Sequence, residues 1–267
     1  SLGRGLRPLH AVAGEIAGRD GEDMRPISLA EAPREVRPLI AALNGLFGKV
    51  ETARRHERDV TAFAAHELRT PLAGLKAQAQ IALASPDAAI REGALRQILV
   101  SVDRTTRLVR QLLALAKLEA APQKAAPSEI EVGALLADIV HQGPAPQGVR
   151  VDIADDLSGL RLAGDPEALH LVLRNLHENA VEHMPAGGRI TWRACPGGLC
   201  VEDEGPGIPP EELGRIAERF FRGRHKSASG TGLGLTIATM AATRLGARLV
   251  IENRADRSGV RAALIWG

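Results

Sequence analysis

The chain has 267 residues, 34 basic and 32 acidic, and a net charge of +2, a balance that points away from nucleic acid and from a polybasic membrane surface. Hydrophobic content of 45% with 25% charged residues excludes wholesale disorder, and the length suits two or three small domains. With four Phe, two Trp and no Tyr, the cores must be built from Leu, Val, Ile and Ala, and aromatic platforms for stacked bases are missing.

Residues 5–18 carry apolar positions at helical spacing and give way to the polar stretch Arg19–Asp23. A second helical pattern begins near Pro33, uses Leu39, Ile40, Leu43, Leu46 and Val50, and continues without a breaker through "ETARRHERDVTAFAAHELRT". Its basic segment 53–59 also holds acids and reads as a solvated face. Within "AHELRTPLAGL" (65–75) Pro71 has no N–H to donate and crowds the carbonyl one turn back, so this stretch either stops the helix or bends it. Ser85-Pro86-Asp87 marks a turn, and a further helix covers about 88–119. Positions 95, 98, 102, 105, 109, 112 and 116 of that helix are apolar or small at alternating steps of three and four, the seam of a coiled coil or four-helix bundle. A single helical hairpin cannot bury both its seams, so dimerisation into a four-helix bundle is the economical solution, and packing of both helices on the next domain is the alternative.

"AAPQKAAPS" (120–128) is an Ala/Pro linker. Beyond it "EVGALLADIV" reads as a helix and "VRVDIA" as a strand; "DPEALHLVLRNLHENAVEH" is a helix with Asp165 at the N-cap and Pro166 at its first position. "RITWRA" and "LCVEDE" alternate like strands, and Cys195 and Cys200 flank a Pro-Gly-Gly-Leu hairpin turn instead of belonging to a disulfide framework or zinc site, which suits a reducing cytoplasm. "TGLGLTIATMAATRL" is the last helix, with "RLVIEN" and "VRAALIW" as closing strands. The second half therefore reads as an α/β sandwich with a largely antiparallel sheet, and the whole as α+β. No apolar run of about 18 residues and no signal-peptide pattern occurs.

Four stretches of this half carry chemistry. Asn175 and Asn179 lie four apart on one helix face, with Glu178 beside them as a hard oxygen ligand of the kind Mg²⁺ takes together with phosphates. Asp203 ends a strand ahead of the Gly205-Pro206-Gly207 turn, where a carboxylate can accept from an adenine amino group. Gly230, Gly232 and Gly234 precede a helix, giving successive N–H groups that suit phosphates. The basic segment "ERFFRGRHKSAS" lies between these loops. His170, His177 and His183 lack the i, i+4 spacing of a metal pair and read as structural or solvent-facing.

In order and spacing the chain resembles the sensor histidine kinases of two-component signalling. "HELRTPL" matches the family's phospho-acceptor motif, "NLHENA" its N box, "DEGPGI" its first G box, "ERFFRG" its F box and "GTGLGL" its second G box, while residues 5–55 resemble a HAMP linker. The resemblance implies a HAMP-like linker over 1–56, a dimerisation and phospho-acceptor hairpin over 57–120, a linker over 121–128 and a Bergerat-type ATP-binding domain over 129–267. It implies transfer of the γ-phosphoryl of ATP to His66 and then to an aspartate of a separate response-regulator receiver domain, with phosphatase action as well. His66 is the implied nucleophile, Glu67 holds its ring, Arg69 neutralises phosphate charge, and Thr70 orients water in the phosphatase direction. ATP would meet Asn175, Asn179, His183, Asp203, Gly205, Gly207, Ile208, Phe220, Arg222, Gly230, Thr231, Gly232, Leu233 and Gly234, with Mg²⁺ on Asn175, Glu178 and Asn179. Pro71 then bends the acceptor helix below His66. A homodimer is implied, as the cytoplasmic portion of a bacterial inner-membrane protein, tethered through a transmembrane segment upstream of the linker.

One position departs from the family. Where a basic residue and then an aromatic usually follow the N-box asparagine, this chain has Glu182 and His183. An acid facing phosphates weakens nucleotide binding; His183 can still stack on adenine, and Arg219, Arg222 and Lys226 are the cations at hand. Two other readings are a hydrolytic ATPase of the gyrase and chaperone kind, which needs a glutamate base where Asn175 stands, and a dimeric signalling scaffold with an impaired nucleotide site.

Overall fold

The computed structural model describes residues 14, 17–20, 23–28, 34, 36–120, 128–143, 148–185, 187–221, 223 and 231–267. It divides into two compact units, residues 1–66 and 67–267.

In the first unit helix α1 (Arg37–Ala84) begins its course. Ile27 is buried against Val36 and Ile40, with Leu43 and Phe47 beside them. Asn44 fixes this contact from the helix: its Oδ1 accepts from the Ile27 N–H at 2.7 Å and its Nδ2 donates to the Ile27 carbonyl at 2.9 Å. One asparagine thus satisfies both backbone groups of an extended residue that has no strand partner. α1 runs through Pro71 and ends at Ala84, so the proline does not stop the helix.

In the second unit, α2 (Ala88–Ala120) follows the turn at Ser85–Asp87. Asp87 caps it, its Oδ1 accepting from the N–H groups of Ala89 at 2.7 Å and Ile90 at 3.4 Å. The expected seam is covered only in part, with Leu95, Val102 and Val109 exposed and Ile98, Thr105 and Leu112 half-buried. A neighbouring stripe is covered instead: Leu108 and Leu115 are buried, and Leu118 packs on the core of the following domain. α2 therefore carries two faces, one docked within its own chain and one left open.

That domain contains β1 (Ser128–Glu131), α3 (Val132–Gln142), β2 (Arg150–Ile153), β3 (Arg161–Gly164), α4 (Pro166–His183), β4 (Arg189–Cys195), β5 (Gly198–Asp203), the single helical turn α5 (Pro210–Leu213), α6 (Gly234–Arg244), β6 (Ala247–Asn253) and β7 (Val260–Trp266). The five-stranded sheet has the order β2-β4-β5-β7-β6, antiparallel except for the parallel β2–β4 pair, and β1 and β3 form a separate antiparallel pair. Alternation explains the layers. On β4, Ile190 and Trp192 face the core while Arg193 lies on the opposite face, where it bonds Glu202 of β5. On α4, Leu169, Val172, Leu173, Leu176 and Ala180 form the helical stripe that meets them, beside Leu136 and Ile139 of α3 and Ala238 and Ala241 of α6.

Most elements stand where the sequence pattern puts them. Cys195 and Cys200 are free and flank the β4–β5 hairpin. The last helix starts at Gly234 and not at Thr231, because Gly232 adopts φ +71° and turns the chain before the helix can begin. Ser128, assigned to the linker, is the first residue of β1. β1 and β3 themselves have no counterpart in the sequence reading.

Candidate functional site

Asp165 starts α4 by accepting from the N–H groups of Glu167 at 3.0 Å and Ala168 at 3.3 Å, and it is ion-paired at 2.7 Å with Arg244 from the end of α6. With its start fixed, α4 presents Asn175, Glu178, Asn179, Glu182 and His183 to a cleft of about 1170 Å³, its open mouth included. Asn175 is buried, and its Nδ2 donates to the Leu171 carbonyl at 2.7 Å. That bond orients the amide so that Oδ1 remains for the cleft, where a Cβ on Gly234 would stand 3.5 Å from it. Asn179 is half-buried and makes no hydrogen bond among the described residues. Glu178 is engaged, its Oε1 accepting from Arg174 Nε at 2.9 Å.

The opposite wall is the loop after β5. Asp203 Oδ1 accepts from the N–H groups of Gly205 at 2.9 Å and Val260 at 3.0 Å. The carboxylate is thereby held by one oxygen, and the other is left to accept from a ligand. Burial pushes the Asp203 carboxyl up; the two backbone N–H groups and the charges of His183 and Arg254 oppose that shift. The 206–209 loop is clamped from β6: Asn253 Oδ1 accepts from the Ile208 N–H and Asn253 Nδ2 donates to the Ile208 carbonyl, both at 2.7 Å. Ser258 Oγ adds a bond to the Gly205 carbonyl at 2.7 Å. Gly207 has φ +79°, and a Cβ there would lie 3.2 Å from the Asn253 oxygen, so the clamp requires glycine.

The third wall is the turn ahead of α6. A Cβ on Gly232 would lie 2.7 Å from the Phe221 carbonyl oxygen, which keeps the turn pressed against Phe220 and Phe221. Thr231 Oγ1 accepts from the Leu233 N–H at 3.3 Å and donates to Gln111 Oε1 of α2 at 2.6 Å.

Of the residues the sequence singled out, Asn175, Glu178, Asn179, His183, Asp203, Gly207, Ile208, Thr231, Gly232 and Gly234 line this cleft together. Gly205 and Leu233 support the walls through their N–H groups. Phe220, in the left-handed region at φ +64°, is not a lining residue; Phe221 is. Arg222, Gly230 and Lys226 lie outside the described residues. His66, Arg69 and Thr70 are exposed on α1 and Glu67 is half-buried there. His177 is buried, His170 half-buried and His183 exposed, and the described residues contain no cluster of three or more His, Cys, Asp or Glu suited to a metal. Arg219 is ion-paired with Glu119 of α2 at 2.6 Å. Sequence reasoning missed Arg107 and Gln111, which reach the cleft from α2, and Asn253, which shapes it. Gln111 and Asn253 act through partners 120 and 45 residues away, which no local pattern marks.

The oxygen donors fit a hydrated divalent cation that also takes phosphate oxygens. Asn175 Oδ1 and Asn179 are neutral and available, whereas the Glu178 carboxylate is shared with Arg174.

Residues 164–264 match the family described as histidine kinase-, DNA gyrase B-, and HSP90-like ATPase, residues 56–121 match the His Kinase A (phospho-acceptor) domain, and residues 6–51 match the PhoQ-like sensor protein HAMP domain. Sensor protein QseC of Escherichia coli O157:H7 is 38% identical over 272 residues, covering 99% of this chain and 60% of QseC. Sensor protein kinase PmrB of Pseudomonas aeruginosa is 37% identical over 243 residues, 88% of this chain and 51% of PmrB. The chain thus spans 60% or less of the length of these two relatives. The crystal structure of histidine kinase ThkA in complex with response regulator protein TrrA superposes with a TM-score of 0.57 at 21% identity, covering 82% of this chain and 66% of that one, a likeness of fold.

Proposed function

The chain belongs to the sensor histidine kinases of two-component systems, and on that premise we propose that it binds ATP with Mg²⁺ in the cleft and phosphorylates its own His66. What carries this reading is the gathering of Asn175, Asn179, Asp203, Gly207, Thr231 and Gly232 on one cleft from three separate stretches of sequence.

Each residue has a task its surroundings suit. Asp203, held through Oδ1 by two backbone N–H groups, offers Oδ2 to the adenine amino group. Asn253 holds the 206–209 loop, which forms the wall beside Asp203, through both backbone groups of Ile208. Asn175 and Asn179 would hold the cation through their amide oxygens, and because the amides are neutral its charge would remain for the phosphates. Mg²⁺, when bound there, would supply positive charge to the phosphate oxygens. In the transfer a ring nitrogen of His66 forms the new P–N bond, the bond from phosphorus to the β,γ-bridging oxygen breaks, and ADP leaves with that electron pair. Glu67 accepts the hydrogen bond of the other ring N–H and stabilises the positive charge that develops on the imidazole. The phosphoryl then passes to an aspartate of a separate receiver domain, and Thr70 orients water when the regulator is dephosphorylated. The acceptor helices work as a homodimer, over the 57–120 hairpin, between a HAMP-like linker at 1–56 and the ATP-binding domain at 129–267. In its natural setting the chain is the cytoplasmic part of a bacterial inner-membrane sensor, connected upstream to a transmembrane segment.

The test is incubation of the chain with γ-labelled ATP and Mg²⁺ beside His66→Gln. Label on the protein that survives alkali, is lost in acid and is absent from the variant is the expected result. Phosphate release without protein label, unchanged in the variant, replaces this reading with a hydrolytic ATPase.

A further inference from the structure

We propose that Arg107 of α2 is a ligand for the nucleotide's phosphates, so that the phospho-acceptor hairpin completes the ATP cleft and supplies the cation that position 182 lacks. The inference rests on the nucleotide reading above and adds a residue from outside the ATP-binding domain.

The cleft is unusually acidic for an anion site. Glu178, Glu182, Asp203 and Glu212 all line it. Among its described lining residues Arg107 is the one arginine or lysine. Arg219, the cation nearest in sequence to the F-box phenylalanines, is withdrawn into its pair with Glu119 at 2.6 Å and also touches Met240 Sδ at 3.8 Å. Arg174 is spent on Glu178. Arg107 is half-buried at the cleft wall and has neither an ion pair nor a hydrogen bond among the described residues. A guanidinium that faces several carboxylates and pairs with none keeps all five N–H donors for an incoming anion, in the fork geometry that suits phosphate.

Its position is fixed and not incidental. Gln111, one turn further along the same helix face, accepts the 2.6 Å hydrogen bond from Thr231, and Thr231 in turn accepts from the Leu233 N–H at the start of α6. Leu108 and Leu115 are buried on the same side of α2. Docking of this face therefore sets Arg107 on the cleft that the glycine turn also lines. Because the cation comes from one element and the rest of the site from another, nucleotide binding and docking of α2 strengthen each other by the same factor.

The experiment is calorimetric titration of the whole chain with ATP, ADP and adenosine, in the parent, Arg107→Ala, Arg107→Lys and Arg110→Ala. Arg110 is exposed on α2 and outside the cleft lining, so its variant removes the same charge from the same helix without touching the site. The expected result is a loss of about tenfold in ATP affinity for Arg107→Ala, the size of one charge-assisted hydrogen bond to a partly solvated anion. Adenosine binding stays at the parental value, Arg107→Lys recovers most of the loss, and Arg110→Ala matches the parent. Adenosine binding and the melting temperature serve as the checks that the variants are folded. ATP affinity unchanged in Arg107→Ala, or lost equally in Arg110→Ala, overturns the assignment while leaving the nucleotide reading intact. A parent chain that binds neither ATP nor ADP overturns both.

Discussion

Asp203 illustrates how a single side chain is made ready for one partner. Two backbone N–H groups hold Oδ1, and burial raises the carboxyl above its ordinary value near 3.8. A raised carboxyl takes up its proton earlier as the pH falls, and the protonated form is a poorer acceptor. ATP affinity is therefore expected to decline on acidification at higher pH than it would for an unshifted carboxylate, and Asp203→Asn, titrated alongside, should bind weakly with that acid limb gone. His177 has the opposite shift: burial lowers it, against the raising effect of Glu178, and its Nδ1 has no hydrogen-bond partner among the described residues. A histidine whose folded value is depressed gives stability that is present above its unfolded value of about 6.5 and is lost as the pH falls through the folded value. Denaturant melts at pH 7.5, 6.5 and 5.5 should show stability falling as the pH falls, and His177→Leu should flatten part of that slope; His170, which burial and Arg174 lower against Glu167, contributes in the same direction. An unchanged slope would place the acid sensitivity elsewhere.

Elements were legible in this sequence where their signals are local. The Asp165-Pro166 start of α4, the Ser85-Pro86-Asp87 turn before α2 and the β4–β5 hairpin at Pro196-Gly197 each depend on residues within a few positions of one another. β1 and β3 were not legible, because two strands of only four residues, with one buried position between them, pair across thirty or more residues and are too short for a pattern to stand out. The docked face of α2 was hidden for another reason: the heptad-like positions 95–116 dominate the pattern, and Leu108, Gln111 and Leu115 sit on the adjacent stripe. The candidate site divides along the same line, since its boxes are contiguous motifs while Asn253, Gln111 and Arg107 come from distant elements. Asp165 allows a direct measurement at this scale. It caps α4 and also pairs with Arg244, so Asp165→Ala should cost about 1–2 kcal/mol in chemical denaturation, and Asp165→Asn, which keeps a capping oxygen, should cost less. Equal losses would mean that the ion pair, not the cap, holds the end of α6 against α4.

At the scale of the whole molecule, the second face of α2 is the open question that the fold poses. Leu95, Leu99, Val102, Val109 and Leu113 are exposed by 40 to 65%, and Leu72, Ile81 and Leu83 of α1 are exposed as well. A series of large aliphatic groups left in water at bundle spacing is unfavourable by about 25 cal/mol for every Å² that a partner would cover. Packing of both helices on the following domain would still leave this stripe of α2 open, because the buried residues Leu108 and Leu115 lie on the adjacent stripe. A second copy of the chain, contributing the same stripe about a two-fold axis, meets the requirement with no new chemistry. Sedimentation equilibrium should therefore find a dimer, and Val102→Glu combined with Val109→Glu should shift it to monomer, since two carboxylates per copy would be buried without partners. Because the substituted stripe is not the one that docks on the ATP-binding domain, the monomer should still titrate with ATP at the parental affinity. Parental affinity with lost self-association would separate the two faces of α2 functionally, one for nucleotide and one for the partner copy. A variant that stayed dimeric would transfer the interface to α1 or to the first unit.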